Sequence, residues 1–291
     1  MKTTAELLFD GHAVLAEGPV YSPADHALIW IDIPSHLVHR LDLKSREKSE
    51  MNIGQPVGAV VLRESGGLAI ALREGFAITD RWGGAPTLIA SPEKDKPENR
   101  MNDGKCDRAG RFWAGTMAMK EGPNAGALYR LDADHSVHTM VTGVTISNGL
   151  AWSRDDKQMY YIDTPLGRVD VFNYDAPTGA IKNRRTLFEI PKENGAPDGM
   201  TIDEEGCLWV AHWGGSAVRR YTPKGAVDQT IELPASRVTS CCFGGPDLRD
   251  LYITTASIGL TPDQQRDQPH AGGIFVTRTS VKGTPGYLYK G

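Results

Sequence analysis

Residues 197–215 read PDGMTIDEEGCLWVAHWGG, which places an Asp-Gly pair, a D-x-x-G turn and a short apolar strand in a fixed order. A two-residue tract ending in glycine followed by such a strand recurs along the chain, and a degenerate last copy lies near Ser240. The second residues of the strands are spaced by 40, 44, 47, 49 and 43 residues, and they are Ile29, Ala69, Trp113, Tyr160, Trp209 and Tyr252. A period of this length, with strands and turns in every copy, predicts an all-β, six-bladed propeller with four-stranded blades.

The two ends of the chain each carry one unmatched strand. The segment AELLF near the N-terminus has no blade of its own, and GGIFVT near the C-terminus lacks a following outer strand. We expect these two segments to pair, which would complete the last blade and close the ring, because closure removes exposed sheet edges. The sequence therefore predicts one propeller domain over residues 1–291. The polar stretch 91–100 is predicted to cover one mouth of the central channel.

Composition excludes several function classes. The formal net charge is -4 and no basic patch stands out, so nucleic-acid binding is not expected. No segment has signal-peptide character and none approaches the ~20 apolar residues of a membrane span. The four cysteines show no disulfide-framework or C-x-x-C spacing, which favours reduced thiols in a cytoplasmic protein. We expect a monomer or a weak homo-oligomer.

The inner strands are predicted to bring oxygen-bearing side chains together. The innermost strand of each blade lines the channel, so equivalent positions face one another across the axis. Glu17, Asn148 and Asp198 are expected to converge there, together with Asn102 and Asp103. The alternatives for the first three are a surface turn, an Asn-Gly hairpin turn and a Pro-Asp-Gly turn, respectively. Their shared phase in the repeat favours the channel.

Two carboxylates and an amide oxygen are hard donors. They suit Ca²⁺, Mg²⁺ or Mn²⁺, and Zn²⁺ also accepts carboxylate oxygens. Because calcium takes roughly six to eight oxygens, this set leaves positions for water and substrate, as a catalytic metal requires. The sequence has no G-x-S-x-G, H-E-x-x-H, phosphate-binding loop or dinucleotide fingerprint. We interpret His212 as a core or channel-wall histidine and expect Trp213 to line the mouth.

Four segments resemble the senescence-marker-protein, gluconolactonase and luciferin-regenerating family: NRMNDGKCDRAGRFWAGTM (99–117), ISNGLAWSRDDKQMYYID (146–163), PDGMTIDEEGCLWVAHWGG (197–215) and TSCCFGGPDLRDLYITTA (239–256). The resemblance implies a six-bladed propeller with one divalent cation and lactone hydrolysis. Carried over by motif, it implies that Glu17, Asn148 and Asp198 are metal ligands. It also implies that Arg100 and Asn102 contact substrate, with Asp103 near the metal.

The chain departs from the family pattern after Ala118. Similar members have two acidic residues after GTMA, the second of which contacts the sugar, whereas this chain reads Met119-Lys120-Glu121. By strict register Lys120 takes the substrate-contacting place and Glu121 is displaced by one. We predict that these two residues influence which lactone is preferred.

These inferences predict a sugar-lactone hydrolase that opens aldonolactones at a divalent cation. The oxygen donors favour calcium, with Zn²⁺, Mn²⁺ or Mg²⁺ as alternatives. Asp198 is predicted to be both a ligand and the general base. One alternative is a calcium-binding regulatory protein, in which the metal serves affinity rather than turnover. Another is an organophosphate hydrolase on the same metal site, which would need an apolar pocket.

Overall fold

The computed structural model describes residues 2–120 and 122–291. Its strands form six sheets, and the inner strands of successive sheets contact one another in a closed cycle. Within each blade the strands are antiparallel neighbours. The predicted six-bladed propeller with four-stranded blades is therefore confirmed.

The strands follow the chain from the inside of each blade to its outside. The N-terminus contributes β1 (Lys2–Thr4) and β2 (Glu6–Phe9). Blade 1 contains β3 (Ala16–Ser22), β4 (Ala27–Asp32), β5 (Leu37–Asp42) and β6 (Lys48–Asn52). Blade 2 contains β7 (Val57–Leu62), β8 (Leu68–Leu72), β9 (Gly75–Thr79) and β10 (Thr87–Ala90). Blade 3 contains β11 (Asn99–Cys106), β12 (Phe112–Ala118), β13 (Gly126–Leu131) and β14 (Val137–Val144).

Blade 4 contains β15 (Ser147–Trp152), β16 (Gln158–Asp163), β17 (Arg168–Asp175) and β18 (Ala180–Glu189). Blade 5 contains β19 (Ala196–Ile202), β20 (Leu208–Trp213), β21 (Ala217–Tyr221) and β22 (Val227–Glu232). Blade 6 contains β23 (Val238–Gly244), β24 (Asp250–Thr255) and β25 (Ile274–Arg278). Short helical segments lie at Thr164–Leu166, Lys192–Asn194 and α1 (Pro262–Asp267). In the described part of the chain, no helix combines the length and apolarity needed to cross a bilayer.

The ring closes as the terminal segments predict. β2 pairs antiparallel with β25 and supplies the fourth strand of blade 6, with Leu7 opposite Phe275. β1 was not predicted: it adds to the outer edge of blade 5 as a parallel fifth strand beside β22. The N-terminus thus spans two blades, because Ala5 separates the two strands and its backbone N–H donates to the Glu232 carbonyl at 3.1 Å.

The apolar core is divided among the interfaces between blades. One buried cluster joins blades 5 and 6 around Trp209 and Phe243, and a second joins blades 2 and 3 around Phe76 and Phe112. In all six blades the second strand is buried along its interior, whereas the outermost strand β6 of blade 1 keeps four of its five residues exposed. This gradient explains why the second strands are so apolar in sequence, since both of their faces pack against neighbouring blades.

The D-x-x-G segments are hairpin turns, as predicted, and their first residues also support the core. Asp107 and Asp203 are fully buried, and each accepts a 2.9 Å bond from an indole N–H, that of Trp113 and that of Trp209. Buried carboxylates require such partners, because an unpaired buried charge is costly. Each turn therefore fixes the tryptophan of the strand that follows it.

The C-terminal segment crosses the end of the channel. It forms a bridge from Gly283 to Asp203 in blade 5 and another from Tyr289 to Arg63 beside blade 2. Blades 2 and 5 are three places apart in a ring of six, so the segment runs across the axis. Tyr289 is fully buried and its hydroxyl donates to the Asp132 carbonyl at 2.8 Å.

We expect Tyr289→Ala to destabilise the protein by about 3–5 kcal/mol, the usual cost of deleting a fully buried aromatic ring. Chemical denaturation measures this directly. Leu288→Ala is the matched control: its side chain is 39% exposed, so it should change the free energy of unfolding by less than about 0.5 kcal/mol. Equal effects of the two substitutions would mean that the segment is not packed as described.

Candidate functional site

The strand register defines one equivalent position on every inner strand. In each blade, the second-strand residue that was used to measure the repeat spacing pairs with a residue of the inner strand. Ile29 pairs with Val20, for example, and Tyr160 pairs with Ala151. The equivalent position lies three residues before that inner-strand partner, either just ahead of a local bulge or within it. Its occupants in blades 1 to 6 are Glu17, Gly58, Asn102, Asn148, Asp198 and Thr239.

This register corrects the repeat in blade 3. The sequence pattern aligns Asp103-Gly104 with the other pairs, but the structure aligns Asn102 with Glu17, Asn148 and Asp198. The bulge of blade 3 leaves Asn102 and Asp103 unpaired, as the bulge of blade 5 leaves Asp198 and Gly199 unpaired. Asp103 therefore stands where blade 5 has glycine, and the glycine used to align the sequence comes one residue later in blade 3.

Blades 2 and 6 contribute no oxygen donor from the equivalent position. A Cβ atom at Gly58 would lie 2.4 Å from the Met101 carbonyl, so no side chain fits there. The Thr239 hydroxyl donates to the Ala16 carbonyl at 2.6 Å and is buried. The donors that face the axis therefore come from the other four blades.

Five of the predicted residues line one cavity of about 290 Å³, which we call the site cavity. They are Glu17, Arg100, Asn102, Asn148 and Asp198. The remaining wall is mostly apolar and consists of Leu15, Met117, Ile146, Thr164 and Trp213. Except for Arg100, the five polar side chains are at most 8% exposed, so they lie at the buried base of the cavity.

The amides at this base are oriented by a chain of hydrogen bonds. Asn148 donates through Nδ2 to the Thr164 hydroxyl at 2.8 Å, which donates in turn to the Pro197 carbonyl at 2.8 Å. The Asn148 Oδ1 atom accepts from Asn102 Nδ2 at 3.1 Å. Its oxygen is thus turned toward the donors of the other blades, as a metal ligand requires.

Asn102 is largely engaged with the protein. Its Nδ2 also donates to the Ser147 carbonyl at 2.7 Å, and its Oδ1 accepts from Arg100 Nη1 at 2.8 Å. An amide oxygen has two lone pairs, so one remains for a further contact. Asn102 therefore holds Asn148 and Arg100 in place and retains a single acceptor toward the cavity.

The carboxyl groups of Glu17 and Asp198 are buried and in hydrogen-bond contact with each other. Burial, and then the Asp103 charge, raises the pKa of Glu17; burial, and then the Glu17 charge, raises the pKa of Asp198 well above its usual range. Two adjacent buried carboxylates repel each other unless one is protonated or a cation lies between them. The donor set therefore fits a divalent cation.

Only two members of this set are carboxylates. Within residues 2–120 and 122–291, no three His, Cys, Asp or Glu side chains are grouped so as to hold a metal ion. A cation here would depend on the amide oxygens of Asn148 and Asn102 and on water to complete its coordination. Such mixed oxygen sets are typical of calcium.

Two aspartates hold the inner strands where the donors lie. Asp32 accepts from the backbone N–H groups of Val14 and Leu15, each at 3.0 Å. Asp163 accepts in the same way from Ile146 at 3.0 Å. These bonds lie within a blade rather than between blades. Each fixes the backbone two residues before a donor, Glu17 in one case and Asn148 in the other.

Asp103 does not line the site cavity. It lies further along the channel, in a cavity of about 60 Å³ that we call the axial cavity, with Lys105 and with residues 284–287 of the C-terminal segment. Burial raises the pKa of Asp103, and the Lys105 charge opposes that shift. Its charge still influences the site, because it raises the pKa values of both Glu17 and Asp198.

The structure does not bring Lys120, predicted to contact the substrate, to the site cavity. Lys120 is exposed in a turn and lines neither the site cavity nor the space beyond it, and Glu121 lies outside the described residues. Of the stretch 91–100, only Arg100 lines the site cavity; Ser91, Glu93 and Asn99 line a separate surface groove. His212 is a buried core residue whose Nε2 lies 3.1 Å from the Tyr221 hydroxyl.

The site cavity opens into a second space of about 420 Å³, which we call the mouth. The two share Leu15, Arg100, Met117 and Trp213, which confirms the prediction for Trp213. The sequence analysis missed two polar residues, Thr164 of the site cavity and Arg237 of the mouth. Thr164 directly follows Asp163, so the end of that strand was a usable signal, whereas Arg237 of the mouth lies in an irregular stretch with no motif.

The sequence matches the family described as "SMP-30/Gluconolactonase/LRE-like region" over residues 15–257. It is 44% identical to regucalcin of Sus scrofa over 282 residues, 94% of each chain. The crystal structure of a calcium-binding protein, regucalcin, from Agrobacterium tumefaciens superposes with a TM-score of 0.95 at 30% identity, covering 100% of this chain and 98% of that one. A luciferin-regenerating enzyme superposes with a TM-score of 0.91 at 35% identity, covering 99% of both chains. With the propeller and its axial donors in place, these similarities establish that the chain belongs to the SMP-30/gluconolactonase/LRE-like family.

Proposed function

We propose that this protein hydrolyses sugar lactones at a divalent cation held in the site cavity. The observation that carries the proposal is the contact between the buried carboxyls of Glu17 and Asp198 beside the oriented Asn148 oxygen. That arrangement is unfavourable on its own and becomes favourable around a cation. The gluconolactonase in the family's description supports a lactone as substrate.

Glu17, Asn148 and Asp198 would hold the cation, with Ca²⁺ favoured by the all-oxygen donor set. The name of the Agrobacterium neighbour, a calcium-binding protein, supports the same choice. When bound, such a cation supplies Lewis-acid polarisation of the lactone carbonyl and a lowered pKa for water. The buried base of the cavity places this chemistry where competing solvent is limited.

Asp198 is the proposed general base. Its carboxylate has two oxygens, so one can serve as a ligand while the other accepts the proton of the attacking water. Asp198 lines the base of the site cavity, where the lactone carbonyl would sit, and this supports the assignment. Once the ring has opened, the same carboxyl group can return the proton to the leaving alkoxide.

Arg100 is the proposed positioning residue for the lactone. It lines both the site cavity and the mouth, and Nη1 is fixed by the Asn102 Oδ1 atom and the Met101 carbonyl, at 2.8 and 2.9 Å. A guanidinium held in this way can donate to ring and hydroxyl oxygens without first losing side-chain freedom. Asn102 adds one acceptor beside it.

The compartment is proposed to be cytoplasmic. Cys106, Cys207 and Cys241 are buried free thiols, and Cys242 is a partly buried one. Free thiols persist in reducing compartments.

A screen decides between turnover and a purely calcium-binding role. Aldonolactones would be offered to the metal-free protein and to protein with each divalent ion restored, and acid release followed with a pH indicator. Acid release that requires both lactone and metal supports the hydrolase. Stoichiometric metal binding without any acid release would favour the regulatory protein instead.

Metal content tests the ligand set. Glu17→Gln and Asp198→Ala each remove one carboxylate, so each should bind substantially less than one divalent ion per chain after dialysis, as measured by elemental analysis. Glu47→Gln, a change of an exposed glutamate, is the control and should match the parent. Full stoichiometric retention in both ligand variants would contradict the proposed site.

Asp198→Asn tests the base. The amide keeps an oxygen ligand and the shape but cannot accept the proton, so activity should fall by about 10²–10⁴-fold in metal-loaded protein. Asp103→Asn makes the same change to a buried carboxyl outside the site cavity and should cost far less. Turnover of metal-loaded Asp198→Asn within a few-fold of the parent would assign the base to another residue.

The raised carboxyl pKa values predict how the metal-free protein responds to pH. Glu17 has its pKa raised from 4.5 to about 8, so the folded state holds protons that the unfolded state releases across this window. Stability should therefore fall as pH rises from about 5 to 8, by at most about 1.4 kcal/mol per pH unit for each such group. Denaturation of metal-free protein, with Glu17→Gln as comparison, measures this slope; added Ca²⁺ should flatten it.

A further inference from the structure

The mouth carries positive charge on an apolar wall. Its described lining contains two arginines, Arg100 and Arg237, and no acidic residue. The apolar part includes Met119 and Ile258, which are 44% and 38% exposed although both are large hydrophobic residues. Exposed apolar side chains around an opening commonly mark a surface that binds something.

Arg237 is held in place from three sides. Its guanidinium carbon lies 5.1 Å from the centroid of the Trp213 ring, and Nη2 donates to the Gly259 carbonyl at 2.9 Å. Its backbone bridges Trp213, and its carbonyl accepts from the Ala256 N–H at 2.9 Å. None of these contacts supplies a negative charge.

The charge of Arg237 is therefore not offset by the protein. Burial lowers its pKa and is the sole cause resolved, with no contribution from a carboxylate of the described residues. The buried Arg220 differs, because it is ion-paired with Asp203 at 2.7 Å. A guanidinium that rests against an indole at an apolar wall attracts an anion more strongly than a fully hydrated one, because it is less well solvated.

We propose that Arg237 is a specificity-determining residue that binds a carboxylate carried by the lactone substrate, at the end of the molecule away from the ring carbonyl. This inference rests on the proposed lactone hydrolysis. The ring carbonyl would occupy the base of the site cavity, so a carboxylate at the other end of the substrate would lie toward the mouth. Aldarolactones and uronolactones carry such a carboxylate.

A carboxylate suits Arg237 better than a phosphate. One guanidinium nitrogen is already committed to Gly259, and a phosphate dianion is usually met by several donors. Lys120 was predicted from sequence to supply a cation for acidic lactones, but it is exposed and lines neither cavity. Arg237 takes this role in the proposal.

The test compares kcat/KM for an acidic and a neutral lactone of the same ring size. Arg237→Gln keeps a hydrogen-bond donor but removes the charge. It should lower kcat/KM for the acidic lactone by about 10–100-fold, mainly through KM, and leave the neutral lactone within about threefold. Arg237→Lys keeps the charge and should retain most of the preference. The parent's preference should also weaken as ionic strength rises.

Arg40→Gln is the matched control. Arg40 likewise lies over an indole, 5.8 Å from the Trp82 centroid, but it does not line the mouth. Arg40→Gln should therefore leave the ratio of kcat/KM between the acidic and the neutral lactone unchanged. An unchanged ratio in Arg237→Gln, an equal loss for both lactones, or the same effect in Lys120→Gln would overturn the proposal. So would a phosphorylated aldonolactone that outperforms the acidic one.

A binding measurement separates this proposal from the lactonase itself. If the parent hydrolyses no lactone, the proposed function fails, and calorimetry then compares binding of an aldarate and an aldonate. The aldarate carries one additional carboxylate. Its tighter binding to the parent, lost in Arg237→Gln, would support the anion site; equal binding by parent and variant would refute it.

Discussion

Closure of the ring is the constraint on which the rest of the molecule depends. The backbone hydrogen bonds between β2 and β25 join the N-terminal part of the chain to the last blade. Only a closed ring fixes the distance across the axis between Glu17 in blade 1 and Asp198 in blade 5. The donors of the site share no local sequence, so their geometry is a property of the whole propeller rather than of any blade.

At the axis, stability and chemistry oppose each other. Glu17 and Asp198 are buried in contact, and Asp103 adds a third negative group further along the channel. Such a cluster destabilises an empty propeller and is tolerated because hydrogen bonds elsewhere hold the strands. Asp32 and Asp163 are part of that support, since they fix the backbone just ahead of two donors. Functional sites commonly carry unfavourable charge that the surrounding fold sustains.

Much of this could be predicted from sequence, and the failures have physical causes. The blade period and the small-residue pairs identify the fold and bring Glu17, Asn148 and Asp198 to one cavity. The glycine of blade 3 comes one residue later than in blades 1, 4 and 5, so a pattern aligned on glycine placed Asp103 where the structure aligns Asn102. Arg237 could not be found because its partner, Trp213, comes from another blade and nothing in the intervening sequence relates them. Lys120 was placed by register, and exposure at a turn is decided by local backbone direction rather than by register.

The C-terminal segment that crosses from blade 5 to blade 2 affects how molecules reach and leave the site cavity. Residues 284–287 line the small axial cavity, so among the described residues the mouth is the wider approach to the site cavity. If the protein is the proposed lactonase, a departing ring-opened acid and an arriving lactone would compete for the passage beside Trp213. An acid that lingers against the arginines there would block the next arrival. Product release would then limit the turnover rate as much as the chemical step does.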